Sequence, residues 1–284
     1  MPSRPARYAV IGNPVAHSRS PAIHAMFAQA VGHAIEYDRL AAPVDGFVAA
    51  VDAFRADGGR GLNVTLPFKP QAFAYARRHT PRAAVAGAVN TLAFDGDDVL
   101  GDNTDGPGLV ADIEGRIGLR LAGARLLLLG AGGASRGVVM PLLAAGLEHL
   151  SIANRTVAKA VALRDELASR LDPNAAPRLT AGALDAIAGG YDVIVNATAA
   201  GLADTAPALP DGAWRGAVLA LDMVYGARPT PFMAAARAAG CARVEDGLGM
   251  LVEQAAESFA LWRGVRPQTA SVFAALRERL ARDT

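Results

Sequence analysis

The sequence has only one cysteine, Cys241, among 284 residues, so no disulfide bond can form within the chain. Its formal net charge is only +1, which gives little electrostatic attraction to nucleic acid or to an anionic membrane. No apolar run is long enough to cross a bilayer, and the first residues lack the apolar core of a signal peptide. These absences predict a cytoplasmic protein with no nucleic-acid partner and no membrane partner.

Short strand-like runs alternate with longer helical runs along the chain, of which 52% is hydrophobic. This alternation predicts an α/β fold with mostly parallel strands. A βαβ series is predicted in the second half, with strands over residues 125–129, 150–153, 192–196 and 218–222. No strand is predicted after about residue 244. The last two predicted helices, 250–262 and 269–282, could therefore return to the first unit.

The stretch GLNVTLPFKP, residues 61–70, alternates between apolar and polar residues. Interpreted as a strand over residues 61–66, it places the apolar side chains on one face: Leu62, Val64, Leu66 and Phe68. The opposite face then presents an amide, a hydroxyl and an ammonium group, from Asn63, Thr65 and Lys69. A helix over residues 69–78 and a hairpin around Gly96 are predicted to follow.

Lys69 and the polar loop GDNTDG, residues 101–106, contain groups that can relay a proton. A lysine and a carboxylate that converge on a hydroxyl group can move a proton while carbonyl and alcohol interconvert. A nearby anion favours the charged form of the lysine, which would then act as the acid during reduction. The alternatives are a solvated lysine and a simple polar turn.

The motif HSRSP, residues 17–21, directly precedes a helix predicted over residues 21–31. Pro21 suits the first helical turn and Ser20 suits the N-cap position. Free amide groups, the helix dipole and the hydroxyls of Ser18 and Ser20 can together bind a carboxylate. Plain capping is the alternative, and it explains Ser20 and Pro21 but not Ser18.

The motif GAGGAS follows a predicted strand and opens a helix, which is the setting of a dinucleotide-binding loop. The candidate cofactor contacts are Gly130, Ala131, Gly132, Gly133 and Ala134. Similar glycine-rich turns also occur where no nucleotide binds. The next strand ends in Asn154-Arg155-Thr156, with Lys159 one turn later, and lacks the acid that would hold the ribose of NAD. The two cations favour NADP, whose 2′-phosphate is an anion, although a helix cap with solvated basic residues is the alternative.

The chain resembles the shikimate dehydrogenase family from Ala9 to Leu276. It shares with that family, in the same order, the motifs HSRSP, GLNVTLPFK, AGAVNT, GDNTDG, GAGGAS, NRT and DGLGMLVEQAA. The resemblance implies a substrate-binding catalytic domain of residues 1–105 with 247–284, and an NADP-binding Rossmann domain of residues 106–246. It also implies reversible, NADPH-dependent reduction of 3-dehydroshikimate to shikimate, a step toward chorismate and the aromatic amino acids. We expect a monomer or a homodimer, and no metal ion.

The resemblance further implies roles for single residues. Lys69 and Asp105 match the catalytic pair. Ser18 and Ser20 match the residues that bind the substrate carboxylate, with Tyr225 nearby. The residues that bind the ring hydroxyls are matched by Asn63, Thr65, Asn90 and Gln254. The contacts with the adenosine phosphate are matched by Asn154, Arg155 and Thr156, and Lys159 fills a nearby basic position. Positions beside the nicotinamide are matched by Thr198, Met223 and Gly247.

Two other functions are compatible with much of the same sequence. The nearer one is a quinate/shikimate dehydrogenase that uses NAD, but such members tend to have an acidic residue after the second strand of the nucleotide-binding half. The other is a non-catalytic NADP-binding sensor, and the retained Lys69 and Asp105 argue against it because a sensor needs no proton relay.

Overall fold

The computed structural model describes residues 5–172, 176–198 and 205–282. Contacts within the chain divide it into two compact units, which are taken in turn. Unit 1 comprises Met1–Gly108 with Val252–Ala274, and unit 2 comprises Leu109–Leu251 with Ala275–Thr284. Within the described ranges, every helix is too short or too polar to span a bilayer. The function that the sequence assigns to each domain stays a prediction.

The sheet of unit 1 has six strands: β1 (Ala6–Gly12), β2 (Ile35–Ala41), β3 (Gly59–Val64), β4 (Arg78–His79), β5 (Thr91–Asp95) and β6 (Asp98–Asp102). Their order across the sheet is β2-β1-β3-β5-β6-β4. Strand β1 pairs in parallel with β2 and β3, whereas β5 is antiparallel to β3 and β6. The predicted hairpin is confirmed, and Gly96 takes the positive φ of +56° at its turn.

The helices of unit 1 include α1 (Ser20–Val31), α2 (Phe47–Ala56), α3 (Lys69–Tyr75) and α4 (Pro81–Ala86). The helix predicted over residues 69–78 ends at Tyr75, because the chain then enters the short strand β4. The core contains fully buried Phe47, Leu62 and Phe68. Helix α5 (Asp105–Ala111) begins at the end of the polar loop, and helix α9 (Leu248–Arg263) supplies residues to unit 1 from Val252 onward.

The predicted alternation in GLNVTLPFK is wrong after Val64. Strand β3 ends there, and a turn follows in which the Phe68 amide donates to the Thr65 carbonyl at 3.0 Å. As a result Leu66, assigned to the apolar face, is 64% exposed. Lys69 does not continue the polar face of a strand but is the first residue of α3. A turn that reverses the chain breaks the period of two on which the prediction depended.

Unit 2 has its own six-stranded sheet: β7 (Arg125–Leu129), β8 (His149–Ala153), β9 (Leu179–Gly182), β10 (Val193–Asn196), β11 (Leu219–Asp222) and β12 (Arg243–Glu245). The order is β12-β11-β10-β7-β8-β9, and every pair is parallel. This is the strand order of a Rossmann fold. The four predicted strands of the βαβ series are confirmed. Strands β9 and β12 were not predicted, because both are short edge strands with few apolar residues.

The helices of unit 2 include α6 (Gly133–Ala144), α7 (Val157–Ala168) and α8 (Pro231–Ala238). Helix α10 (Ala270–Arg282) is shared, because its residues up to Ala274 belong to unit 1 and the rest to unit 2. After α5 the chain forms one wide π-helical segment, Asp112–Ile117, which ends at Gly118 with a φ of +77°. The core of this unit contains Leu127, Ile194 and Phe232, all essentially inaccessible to solvent.

Candidate active site

Lys69 and Asp105, the predicted catalytic pair, form an ion pair within unit 1. Lys69 begins α3, Asp105 begins α5, and the Lys69 Nζ atom lies 2.5 Å from Asp105 Oδ2. Their side chains are 22% and 10% exposed, so the pair is shielded from bulk water but still reachable. The second carboxylate oxygen, Asp105 Oδ1, accepts from Asn90 Nδ2 at 2.8 Å. Asp105 is therefore held on both oxygens, and its catalytic role stays a prediction.

Asn90 and Gln254, both predicted to bind ring hydroxyls, lie in the same hydrogen-bonded cluster as the ion pair. Besides Asp105, the Asn90 amide donates to Thr104 Oγ1 at 2.9 Å and weakly to Gln254 Oε1 at 3.4 Å. The Thr104 hydroxyl also lies 3.3 Å from Gln254 Oε1. The structure thus brings four predicted residues, Lys69, Asn90, Asp105 and Gln254, into one cluster around Thr104.

The loop that carries Asp105 is anchored by Asp102, a carboxylate with no exposed surface. Asp102 Oδ2 accepts from Arg82 Nη2 at 2.5 Å, and Asp102 Oδ1 accepts from the Thr80 hydroxyl at 2.5 Å. One residue later, the Asn103 side-chain oxygen accepts from the Asp105 amide at 3.2 Å. These bonds fix the backbone on which the Asp105 carboxylate is mounted.

Asn63 is 6% exposed, and all the polar atoms of its side chain bond to other protein groups. Its Oδ1 atom accepts from the Tyr37 hydroxyl at 2.7 Å and from His24 Nε2 at 3.1 Å. Its Nδ2 atom donates to Ser258 Oγ at 2.9 Å and Thr91 Oγ1 at 3.2 Å. Asn63 therefore organises its neighbours, and a direct contact with substrate stays a prediction. Thr65, also predicted to bind a ring hydroxyl, is half-buried in the turn after β3.

Ser18 and Ser20 are adjacent, as a carboxylate-binding pair requires, but the predicted N-cap is wrong. Helix α1 has Arg19 at the N-cap, without a side-chain cap, and Ser20 is its first residue. The Ser18 hydroxyl oxygen accepts from the Ser20 amide at 3.3 Å, and the two hydroxyl oxygens are 3.2 Å apart. Ser18 therefore makes the local capping bond that was predicted for Ser20. This bond also accounts for Ser18, which capping by Ser20 did not explain.

Several residues around this site were missed from the sequence: His24, Tyr37, Thr104 and Ser258. Burial lowers the pKa of His24 to about 3, so this histidine is neutral in the folded protein. Two of the four had a usable signal, because Thr104 stands inside the quoted polar loop and Ser258 lies one helical turn after Gln254. The positions of His24 and Tyr37 depend on the packing of α1 against the sheet, which spacing does not reveal.

In unit 2, the glycine loop between β7 and α6 leaves open space where a phosphate group would approach. Gly130 has a φ of +106°, and a Cβ atom there would lie 3.2 Å from the Ala197 backbone. In contrast, a Cβ atom on Gly132 or Gly133 would meet nothing within 4 Å. Gly132 is the N-cap of α6 without any side-chain cap, so the amides of the first turn are available to an anion. Ala131 and Ala134 are half-buried beside these glycines.

Arg155 and Lys159 stand exposed after β8, and neither forms an ion pair with the residues that the structure describes. The first turn of α7 contains no acidic residue, and its N-cap Thr156 makes no side-chain cap bond. Asn154 Nδ2 donates to the Thr156 carbonyl at 2.9 Å, which shapes the turn that holds Arg155. The donor set, two cations and no carboxylate, fits a phosphate-bearing adenosine.

The three residues assigned to the nicotinamide lie in one part of unit 2. Thr198 donates from its amide and its hydroxyl to Asn196 Oδ1, at 3.1 and 2.7 Å. Gly247 abuts Met223 so closely that a Cβ atom would lie 2.2 Å from the Met223 carbonyl oxygen. Tyr225, assigned to the substrate carboxylate, is half-buried two residues after Met223. Only glycine fits position 247, and the roles of these residues stay predictions.

The chain matches three family models that follow one another along the sequence. Residues 10–92 match the shikimate dehydrogenase substrate binding domain, and residues 112–203 match the shikimate/quinate 5-dehydrogenase family. Residues 247–277 match the shikimate 5′-dehydrogenase C-terminal domain.

Individual relatives agree with these models over the full length. A shikimate dehydrogenase (NADP(+)) of Aromatoleum aromaticum is 58% identical over 96% of this chain and 98% of its own length. The crystal structure of an Ael1 enzyme from Pseudomonas putida is 48% identical, with a TM-score of 0.90, over 95% of this chain and 98% of that one. Shikimate 5-dehydrogenase from Thermus thermophilus, in complex with NADP(H) and shikimate, is 37% identical with a TM-score of 0.85, over 97% of this chain and 100% of that one. The chain belongs to the shikimate dehydrogenase family.

Proposed function

We propose that the protein catalyses the reversible, NADPH-dependent reduction of 3-dehydroshikimate to shikimate. The observation that carries this proposal is the half-buried ion pair between Lys69 and Asp105, 2.5 Å apart and surrounded by the amides of Asn90 and Gln254. A shielded lysine–carboxylate pair within a cluster of polar side chains is the arrangement that a proton relay requires. The names of the close relatives, shikimate dehydrogenase (NADP(+)), support the same reaction.

Lys69 is proposed as the proton donor during reduction. Its ammonium group gives a proton to the oxygen of the ring carbonyl as that oxygen becomes a hydroxyl, and takes the proton back in the reverse direction. Asp105 accepts a hydrogen bond from Lys69 and one from Asn90, so it holds the ammonium in one orientation. Asn90 and Gln254, with Asn63 and Thr65, are proposed to bind the ring hydroxyls.

NADPH, when bound, supplies the hydride. The open glycine loop of residues 130–134 and the uncapped amides of α6 are proposed to hold its pyrophosphate. Arg155, with Asn154, Thr156 and Lys159, is proposed to hold the adenosine phosphate. Thr198, Met223 and Gly247 are proposed to border the nicotinamide. The hydroxyls of Ser18 and Ser20, with Tyr225, are proposed to bind the carboxylate of the substrate.

A spectrophotometric assay tests the proposal directly. Purified protein is given shikimate or quinate, each with NADP or NAD, and reduced cofactor is followed by its absorbance. The proposal expects the fastest turnover with shikimate and NADP. Preferred turnover of quinate with NAD would identify the alternative dehydrogenase, and no turnover with tight NADP binding would identify a sensor.

The remaining predictions belong to the same proposal. The protein is expected to work in the cytoplasm, as a monomer or a homodimer. Residues 1–105 with 247–284 are proposed to bind substrate, and residues 106–246 to bind the cofactor. Sedimentation of the purified protein measures the oligomeric state, and limited proteolysis with and without NADPH tests which domain the cofactor protects.

A further inference from the structure

The hydroxyl of Ser258 lies at the centre of the polar cluster in unit 1. Ser258 is on α9 and has no exposed surface. Its Oγ atom lies 2.8 Å from Thr91 Oγ1, 2.9 Å from Asn63 Nδ2 and 3.3 Å from Thr104 Oγ1. It also donates to the Gln254 carbonyl, one helical turn earlier, at 3.0 Å. One buried hydroxyl thus connects side chains of β3, β5 and the polar loop to α9.

Helix α9 itself does not require a hydroxyl at position 258. Its neighbouring residues that have no exposed surface are apolar: Ala255, Ala256 and Phe259. A buried hydroxyl loses its hydrogen bonds to water, so it is stable only where groups of the protein replace them. Serine also favours helix ends over helix interiors. The side chains that Ser258 contacts on other elements therefore explain this serine, whereas its own helix does not.

Asn63 depends on Ser258 for the nearest acceptor of its amide nitrogen. The Asn63 Oδ1 atom already has two partners, so Nδ2 is the atom that faces α9. The other acceptors of Nδ2 in the described part of the chain are Thr91 Oγ1 at 3.2 Å and the Asn90 carbonyl at 3.5 Å, both farther away. Without the Ser258 hydroxyl, the Asn63 amide is therefore expected to move toward Thr91 and away from α9.

The same hydroxyl reaches Asn90 through Thr91. The Thr91 hydroxyl, 2.8 Å from Ser258 Oγ, is hydrogen-bonded to Asn90 Oδ1 at 3.0 Å. The Thr104 hydroxyl, which also contacts Ser258, lies 3.2 Å from the same Asn90 oxygen. The other end of the Asn90 amide donates to Asp105. Ser258 is thus linked closely to both asparagines that are proposed to bind ring hydroxyls, and only through Asn90 to the catalytic pair.

We propose that Ser258 is a positioning residue for the side chains that bind the ring hydroxyls of the substrate. Its hydroxyl fixes Asn63 directly and Asn90 through Thr91, so the two amides keep the spacing that a hydroxylated ring requires. The effect is on substrate affinity, because the ion pair of Lys69 forms without any group of Ser258. This inference rests on the proposed function, since it requires a substrate with several ring hydroxyls.

Shikimate binding to the full-length Ser258→Ala variant tests the proposal. Alanine removes one oxygen and suits a helix, so the variant is expected to fold. The dissociation constant for shikimate, measured by calorimetry below the unfolding temperature, is expected to rise about three- to tenfold, the effect of one hydrogen bond. The kcat with NADP is expected to stay within about twofold. A lower unfolding temperature with an unchanged dissociation constant would show a merely structural hydroxyl and overturn the inference.

The variant Thr91→Val and the double variant test whether the two hydroxyls act together. Valine has the shape of threonine but no hydroxyl, so it removes the link from Ser258 to Asn90. If Ser258 acts on Asn90 through Thr91, the two substitutions disturb the same contacts. The double variant is then expected to raise the dissociation constant by less than the product of the two single effects. Effects that multiply would overturn the inference.

The matched control is Ser169→Ala, at the C-terminal end of α7. Like Ser258, Ser169 donates to a carbonyl of its own helix, that of Glu166 at 2.7 Å. Its removal is expected to leave shikimate binding and kcat unchanged. If the unsubstituted protein neither binds nor oxidises shikimate, the proposed function fails, and this inference fails with it. If that protein is active and Ser258→Ala binds shikimate equally well, only this inference fails.

Discussion

Each unit contains a threonine that caps a helix and at the same time donates to a buried aspartate at the end of a strand. In unit 1, Thr80 caps α4 and its hydroxyl donates to Asp102 at 2.5 Å. In unit 2, Thr230 caps α8 and its hydroxyl donates to Asp222 at 2.6 Å. Proline follows the threonine in both, and both aspartates are completely inaccessible to solvent.

The two aspartates differ in what offsets their burial. Asp102 is paired with the Arg82 guanidinium at 2.5 Å. Asp222 accepts from Asn196 Nδ2 at 3.1 Å and the Val224 amide at 3.0 Å, and no cation in the described part of the chain pairs with it. Burial accordingly raises the pKa of Asp222 above its usual value. The buried aspartate is thus stabilised by an ion pair in unit 1, and by hydrogen bonds from neutral donors in unit 2.

This difference between Asp102 and Asp222 parallels the roles proposed for the residues that follow each of them along the chain. Three residues after Asp102 is Asp105, which must hold a lysine in one place, and an ion pair fixes that loop firmly. Directly after Asp222 is Met223, a flexible apolar side chain proposed to lie beside the nicotinamide. The loop anchored by charge thus precedes the proposed catalytic carboxylate, and the loop anchored by neutral donors precedes the proposed nicotinamide contact.

Lys69→Ala gives the largest expected effect and tests whether the chemistry lies in unit 1. Loss of the proton donor is expected to lower kcat about 10²- to 10⁴-fold, while the dissociation constant for shikimate changes much less. Steady-state kinetics and calorimetry measure the two. Arg77→Ala, which removes an exposed cation two residues after α3, is the control and should keep full activity. An unchanged kcat in Lys69→Ala would refute the assignment.

Asp102→Asn and Asp222→Asn compare the two anchors directly. The first leaves the partly buried Arg82 without its main partner and is expected to cost about 3 kcal/mol of unfolding free energy. The second removes a charge that has no counter-ion and is expected to cost about 1 kcal/mol or less. Urea denaturation of the two variants measures both values. Equal losses of unfolding free energy in the two variants would show that the ion pair of Asp102 and the neutral hydrogen bonds of Asp222 stabilise the protein to the same extent.

Arg155→Gln tests the exposed cations of unit 2. Loss of one charge-assisted bond to the 2′-phosphate is expected to raise the KM for NADPH about 10- to 100-fold and leave that for NADH almost unchanged. Stability should not change, because Arg155 has no partner among the described residues. Arg164→Gln, which removes another arginine from the same region, is the control. Equal effects on both cofactors would exclude a phosphate contact.

His24→Gln gives the smallest expected effect and concerns acid stability. An unfolded histidine binds a proton near pH 6.5, whereas His24 in the folded protein does so only at about 3. Stability is therefore present above pH 6.5 and is lost as the pH falls toward 3. From pH 7 to pH 5 this group lowers the unfolding free energy by about 2 kcal/mol.

Glutamine keeps a donor toward Asn63 but cannot titrate, so the stability of the variant should fall less between pH 7 and pH 5. Urea unfolding of both proteins at several pH values measures the difference. Parallel curves would mean that His24 takes up a proton in the folded protein as readily as in the unfolded chain.

Much of the fold was predictable because its strands are buried runs with clear turns. The run Arg125–Leu129 and the hairpin around Gly96 were found from local pattern alone. In GLNVTLPFK the pattern failed after Val64, where a turn replaced the strand and exposed Leu66. Edge strands such as Leu179–Gly182 were missed, because their pairing partner rather than their own composition makes them strands.

The candidate site was predictable to the extent that its residues stand in motifs. Lys69 and Asp105 were paired from two polar segments 36 residues apart, and the structure places them in contact. His24 and Tyr37 were not found, because one lies on a helix face and the other on a strand, and neither stands out by type or spacing. Their partnership through Asn63 exists only after α1 and β2 have packed on β3.

The sequence by itself determined the α/β class, the glycine loop, the missing acid after the second strand of unit 2, and the family. These follow from the local chemistry of the chain, since periodicity, glycine and charge act over a few residues. Only the tertiary structure decided which polar groups face each other: the ion pair of Lys69, the counter-ion of Asp102, and the hydrogen bonds of Tyr37 and His24 to Asn63. A hydrogen bond forms or fails with a change of a few tenths of an ångström in the distance between its two atoms. For residues far apart in sequence, packing alone sets that distance.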